Sequence, residues 1–250
     1  MAAGKNKLVR YMRLLFHGYN LSGDSRKFDE LSNSADAVDM LGWSDAAHNY
    51  LSDAHRNTGV KGYQALLNDA TAGALTALQQ TAGTMKERAL SVLLGSLAEP
   101  AIGDPAYVLA SVLMSDNAGL DGGAVVLQCD FMADAAQASA SNDQPWGVVL
   151  HPETSLAATT NGASVNNGAA TTNGLHANIH VTVSSGGTWA FKIQHSTDGA
   201  AWADLVSFTI NGSAINSEHV SVAGTVNQYL RFVATRTSGS VTPFCTAARN

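Results

Sequence analysis

Residues 191–210, FKIQHSTDGAAWADLVSFTI, leave little choice but a β-hairpin. Phe191, Ile193 and His195 alternate with Lys192, Gln194 and Ser196. Thr197, Asp198 and Gly199 interrupt the run, and after Trp202 the positions Val206, Phe208 and Ile210 resume it. Alternation at period two gives each face of a sheet its own set of side chains. An Asp-Gly step between two such runs is the strongest short-range signal for strand, turn and strand. Residues 156–250 repeat this grammar, with strands expected near 163–169, 176–183, 188–195, 204–210, 218–222, 228–236 and 241–248. Short strands at that density predict an immunoglobulin-like β-sandwich.

The first part of the chain is also mostly strand. Runs at 8–16, 25–33, 60–67, 86–95, 105–115, 123–132 and 145–151 read as β, while 35–56 shows no clean period. A helix is expected over 71–81, capped by Asn68–Asp69 and closed by Gly83, with Ala74, Leu75 and Leu78 on one face. Residues 152–175 are poor in bulky side chains, and Ala-Thr-Thr-Asn-Gly occurs there at 158–162 and again at 170–174. Asn-Gly favours type I′ turns. The expected class is therefore mainly β (α+β), one sandwich with a flanking helix over 1–155 and a second sandwich over 156–250.

Composition narrows the function. Charged residues make up 14 % of the chain, against the usual quarter. A surface so sparsely charged suits either burial against copies of the chain or a small-residue β protein. From Glu153 onward acidic and basic residues balance, so residues 1–152 carry the whole net charge of −6. Lys5, Lys7, Arg10 and Arg13 stand at its start, ahead of an acidic remainder. That is not the clustered positive footprint of a nucleic-acid binder, and the opposed signs could steer one subunit to another. Cys129 and Cys245 sit in separate apolar runs and read as buried free thiols. No signal peptide or membrane-spanning run is apparent, which points to synthesis in a cytoplasm and exit, if any, by lysis.

Motifs for chemistry are missing. There is no Gly-x-Ser-x-Gly elbow, P-loop or Gly-x-Gly-x-x-Gly. His176 and His180 share one strand face, but at ~13 Å apart they cannot readily hold one ion. They and the other histidines read as core or surface residues. Asp130 with Asp134, and Asp36 with Asp39, read as solvated carboxylates or caps. Trp189 and Trp202 could form a sugar-stacking platform. No catalytic, metal or cofactor residues are assigned, and an enzyme is not expected.

Arg13–Asp24, RLLFHGYNLSGD, resembles the opening strand and Gly-Tyr-x-Leu-Ser-Gly loop of tail tube proteins from long-tailed bacteriophages, matched by Gly18, Tyr19, Leu21, Ser22 and Gly23. Residues 34–51, with Asp36, Asp39 and Trp43, resemble the next part of that pattern, and Gly59–Asp69 the strand before the family's helix. FKIQHSTDGAAWADLVSF and SVAGTVNQYLRFVATRT resemble paired segments of phage virion proteins. The resemblance implies hexameric rings stacked into a tube in the virion tail. It also implies an exterior immunoglobulin-like domain and a lumen that passes DNA without binding it. Tape-measure, tail-terminator and distal-tail proteins would be partners, with assembly in the host bacterial cytoplasm. Candidate assembly residues are Lys5, Lys7, Arg10, Arg13, Gly18, Tyr19, Gly23, Asp36, Asp39 and Trp43, with 34–58 as a ring-to-ring loop. The competing expectation is a decoration protein that binds host glycans through Trp189 or Trp202.

Overall fold

The computed structural model describes residues 11–39, 50–79, 88–94, 99–134 and 145–250. Lys5, Lys7, Arg10, Trp43, His48 and Gly83 lie outside the described residues.

The chain is a mainly β protein with two antiparallel sheets. Its first strands are β1 (Met12–Phe16), β2 (Tyr19–Asn20), β3 (Ser25–Lys27), β4 (Glu30–Asp39) and β5 (Tyr50–Leu66), followed by a helix, α1 (Ala74–Leu78). Then come β6 (Arg88–Leu94), β7 (Pro105–Asp121), β8 (Ala124–Ala133) and β9 (Trp146–His151). The remainder holds β10 (Thr160–Asn161), β11 (Val165–Asn166), β12 (Leu175–Ser184), β13 (Trp189–Ser196), β14 (Ala203–Ser207), β15 (Asn216–Val222), β16 (Tyr229–Arg236) and β17 (Val241–Arg249).

The larger sheet runs β15-β12-β17-β9-β7-β6-β1-β2, with β8, β5, β4 and β3 continuing from β7. The smaller sheet joins β10 and β11 to β16, then β13 and β14. Thus β9 pairs with β7 on one side and β17 on the other, so the main sheet runs through the position where the sequence divides at 155. Leu150, from before that position, packs in the core of the second sandwich.

Period-two patterning sorts the side chains into layers. Leu14 and Phe16, Leu90 and Val92, and Tyr107 and Leu109 face Tyr63, Ala65, Leu127, Cys129 and Phe131 in the first core. Leu175, Ala177, Ile179, Val181, Cys245 and Ala247 face Phe191, Ile193, Leu230 and Phe232 in the second. The opposite faces of β1, β6 and β7 meet the opposite faces of β9 and β17 in a third, smaller cluster of Leu15, Leu93, Ala106, Val108, Val149, Phe244 and Ala248. Strands β6, β12 and β17 and the first half of β7 are buried on both sides.

Local chemistry explains the turns. Asp198 closes β13–β14 by accepting from the Ala200 and Ala201 N–H groups at 2.8 and 2.9 Å and from Ser196 Oγ at 2.8 Å. These donors hold its carboxyl down to about 2, and Gly199 takes the left-handed conformation with φ 74°. Both copies of Ala-Thr-Thr-Asn-Gly depart from the expected type I′ turn, which needs positive φ at Asn. His17 is the one non-glycine residue with positive φ among those described. Asn161 instead pairs with Val233 in β10–β16, and Asn173 forms an isolated bridge to Gly224. The helix is shorter than the sequence suggests. Its first N–H, on Ala74, is met by Asp24 Oδ2 at 2.9 Å rather than by Asp69, and Asn68 Nδ2 binds the same carboxylate.

Candidate functional site: an open hairpin surface and a buried seam

Two long hairpins dominate the first half. Strand β4 pairs with β5 along one edge and has no strand on its other edge among the described residues. Residues 34–58, expected as a loop, are largely the paired strands of this hairpin. Asp36 and Asp39 lie on β4. Tyr107 ties the hairpin to the sheet. Its hydroxyl donates to Ser32 O at 2.5 Å and accepts from Gly59 N at 2.9 Å, so the β4 and β5 backbones are both held from β7. Burial pushes the Tyr107 phenol well above its ordinary value, keeping it a donor.

The second hairpin, β7–β8, ends in Gly122–Gly123, with φ 58° and 84°. Leu120 pairs directly with Val125. Leu66 pairs with Val126, which places Leu67 beside Val125 on the face that leads inward to Ala65 and Leu127. Core-type side chains thus continue beyond the core: Leu120 is 79 %, Val125 47 % and Leu67 40 % exposed. Arg26 flanks this tip, pairing with Asp121 Oδ2 at 3.0 Å. Beside it, Met12, Leu14, Phe28 and Val92 line a hollow of about 250 Å³ that bears no acid–base pair suited to catalysis.

The remaining sequence candidates spread out. Arg13 pairs with Glu99 and donates to Met12 O. Gly23 stands open, with nothing near its missing Cβ. Gly18 does not: a Cβ there would meet the Asn216 backbone oxygen at 2.7 Å, so the β1–β2 turn is wedged against β15. Tyr19 is half-buried beside it. Trp189 is 2 % exposed and stacks on Phe191 at 6.4 Å, so its ring belongs to the second core rather than to a sugar platform. Trp202 is half-buried, and the Arg231 guanidinium covers one face at 4.2 Å. Arg231 is itself fixed on Gln194 Oε1 at 2.7 and 2.9 Å.

The most connected polar cluster lies between the halves. His176, Asn178 and His180 on β12 point away from the second core, beside Ser217, His219 and Ser221 on β15. Asn178 Nδ2 donates to Leu90 O at 2.8 Å, to Ser91 Oγ at 3.1 Å and to Leu109 O at 3.2 Å. These carbonyls belong to a paired position of β6 and β7, so one amide grips two strands. His180 Nε2 lies 3.0 Å from Ser91 Oγ, which lies 3.1 Å from Thr246 Oγ1. His219 Nδ1 lies 2.7 Å from Asn178 Oδ1. At the edge, Arg88 Nη1 stands 2.9 and 3.1 Å from the His17 ring nitrogens. Burial is the main cause that lowers His17 to about 4 and His180 and His219 to about 3. The spacing of His176 and His180 was legible in the sequence, but nothing in it showed which strands cover them. Among the described residues, no group of three His, Cys, Asp or Glu is placed to hold a metal, and both cysteines are free and buried. No described helix is long and apolar enough to cross a membrane.

No family model matches this chain, and no curated protein matches it. Among solved structures, the chain is similar to the Dit protein (gp 19.1) of SPP1, described as a paradigm of the hub adsorption apparatus in phages that infect Gram-positive bacteria. The TM-score is 0.34 at 11 % identity, over 95 % of this chain and 99 % of that one. It is also similar to a protein of infectious bursal disease virus, Gx strain, with a TM-score of 0.23 at 10 % identity over 94 % of this chain and 66 % of that one.

Proposed function

We propose that this chain is a structural subunit of a bacteriophage tail, a tail tube protein that assembles with copies of itself into stacked hexameric rings. The observation that carries this reading is the pair of projecting hairpins. A strand of ten residues, β4, has an edge with no partner among the described residues, and the β7–β8 tip leaves core-type side chains exposed. An unpaired strand edge is a ready template for another strand, and closing sheets between subunits removes it. Apolar side chains that extend a core face outward favour a protein partner over water. The low charge density and the Gly-Tyr-x-Leu-Ser-Gly run support the same assignment.

In this reading the protein performs no chemistry. The acidic first half lines a passage that DNA slides through without sticking, because negative walls offer phosphates no counterion release. The second sandwich sits on the outside. Tape-measure, terminator and distal-tail proteins are its neighbours in the virion. Glycan recognition has less support, since Trp189 is buried and Trp202 is stacked beneath Arg231.

Negative-stain electron microscopy of the purified full-length protein, over a concentration series, tests the proposal. Hollow rings or tubes with external knobs are expected. Uniform monomers at every concentration would overturn it.

A further inference from the structure

The hydrogen bonds of the seam fix a proton count for each imidazole. A neutral ring offers one N–H and one bare nitrogen; a protonated ring offers two N–H groups and no acceptor. At His180, Nδ1 faces the Gly18 N–H at 3.4 Å, so Nδ1 is the acceptor and Nε2 donates to Ser91 Oγ. Ser91 also accepts from Asn178 Nδ2, and its own proton goes to Thr246 Oγ1. At His176, Nε2 faces the Asn250 amide nitrogen at 3.1 Å, leaving Nδ1 to donate to Ser221 Oγ at 2.6 Å. His219 Nδ1 donates to Asn178 Oδ1, because the Asn178 amide nitrogen is already committed to β6 and β7. Its Nε2 is buried with no hydrogen-bond partner among the described residues. His17 faces the cationic Arg88 with both ring nitrogens, and its Nδ1 also lies 3.4 Å from Ser217 Oγ.

A second proton therefore has no suitable place at His17, His180 or His219. On His180 it would set donor against donor. On His17 it would set cation against cation. On His219 it would bury a charged N–H without an acceptor, and the rings of His176 and His219 are stacked at 5.6 Å, so charging both is worse than charging one. The charged groups facing these rings are Arg88, beside His17, and Asp134, whose carboxylate favours a charged His219 but less strongly than burial opposes it. Each half has its own apolar core, and the apolar part of the joint is confined to the small cluster around Leu15, Leu93, Val108, Val149 and Phe244.

We propose that the His17–His180–His219 seam is an acid-sensitive latch, closed while these imidazoles are neutral and opened by their protonation, with both sandwiches remaining folded as the faces part. In the open state the rings regain ordinary behaviour and take up protons near pH 6.5. The closed state holds its full advantage above that pH and loses it as pH falls from 6.5 towards 4 at His17 and towards 3 at His180 and His219. At pH 5, each of His17, His180 and His219 shifts the equilibrium towards opening by about 20- to 25-fold relative to pH 7. Coupling between the rings lowers the product below the simple multiple.

Hydrogen exchange of the full chain at pH 7.5 and pH 5.0, corrected for intrinsic exchange, reads the latch directly. The Gly18 amide, which bonds across the seam to His180 Nδ1, is expected to lose at least about 20-fold in protection at pH 5.0, while amides around Phe131 and Phe232 keep theirs. Parallel loss in the seam and both cores would overturn the proposal. The variant His180→Gln with His219→Gln cannot take up those protons and is expected to flatten the pH response. An unchanged response in a folded variant would also overturn it. NMR titration of the wild-type rings serves if the variant does not fold. Seam imidazoles that titrate near pH 6.5 while the seam stays protected would refute the latch.

Discussion

The hairpins β7–β8 and β13–β14 are built from the same alternation and end in opposite ways. In β13–β14, Asp198 binds the turn backbone, Ile193 pairs with Val206, and both point into the second core. That hairpin is finished within its own sandwich. In β7–β8, the turn is Gly122–Gly123, flanked by the Arg26–Asp121 pair, and the strands run on past Leu113 and Leu127, the members of each strand nearest the tip that are packed in the first core. Leu120 pairs with Val125, Leu67 lies on the other side of Val125, and all three stay exposed. The contrast teaches that alternation alone fixes a strand but not what covers its apolar face. In the second half the covering layer comes from the same sandwich; at the β7–β8 tip no described residue supplies it.

The largest expected effects test whether the two halves are separate units. Phe131 packs on Phe16 at 5.0 Å and Tyr63 at 5.8 Å, while Phe232 packs on Phe191 at 6.0 Å and His151 at 4.9 Å. Phe131→Ala and Phe232→Ala should each cost about 3–5 kcal/mol by emptying a core site. At pH 7.5, hydrogen exchange should show Phe131→Ala weakening the first core and sparing the second, with the reverse for Phe232→Ala. Equal loss in both cores from either change would mean that the continuous β7–β9–β17 sheet makes the molecule a single cooperative unit.

A smaller effect is expected at Tyr107, where the first half holds its own projecting hairpin. Tyr107→Phe removes the donor to Ser32 O and strands the buried Gly59 N–H. Leaving a buried backbone donor unpaired costs about 1–3 kcal/mol. Urea denaturation should show that loss, and exchange should speed up first in β4 and the facing part of β5. Uniform acceleration across the first sandwich would mean the hairpin is not held at that point.

What the sequence revealed and what it hid follow the same physics. The expected strands 188–195 and 228–236 appear as Trp189–Ser196 and Tyr229–Arg236, because one-sided burial writes period two into the sequence, while 86–95 appears as Arg88–Leu94, a short apolar run buried on both faces. The β4–β5 hairpin was hidden because ELSNSADAVD has few bulky residues to alternate. The cap of α1 was hidden because it comes from Asp24, fifty positions away in sequence. His-x-Asn-x-His on β12 was visible as one face of a strand, yet its meaning depends on β6 and β7, which no local pattern links to it. The Gly18 loop was legible as a tight turn and misleading as a surface, since β15 lies against it.

The smallest expected effect on stability carries the most information about assembly. Leu120→Lys with Val125→Lys changes two exposed positions at a glycine turn, where substitutions usually alter stability by no more than about 0.5 kcal/mol. A melting curve close to wild type is therefore expected. Two charges on the continuation of the first core's face would, however, have to be desolvated in any contact that covers it. Sedimentation velocity across a concentration series should then show assemblies for the wild type and monomers for the variant. If the variant assembles as well as the wild type, the tip is not a contact, and the open edge of β4 is left as the surface through which copies join. If the variant melts well below the wild type, Leu120 and Val125 are covered within the monomer, and the contrast between the two hairpins fails.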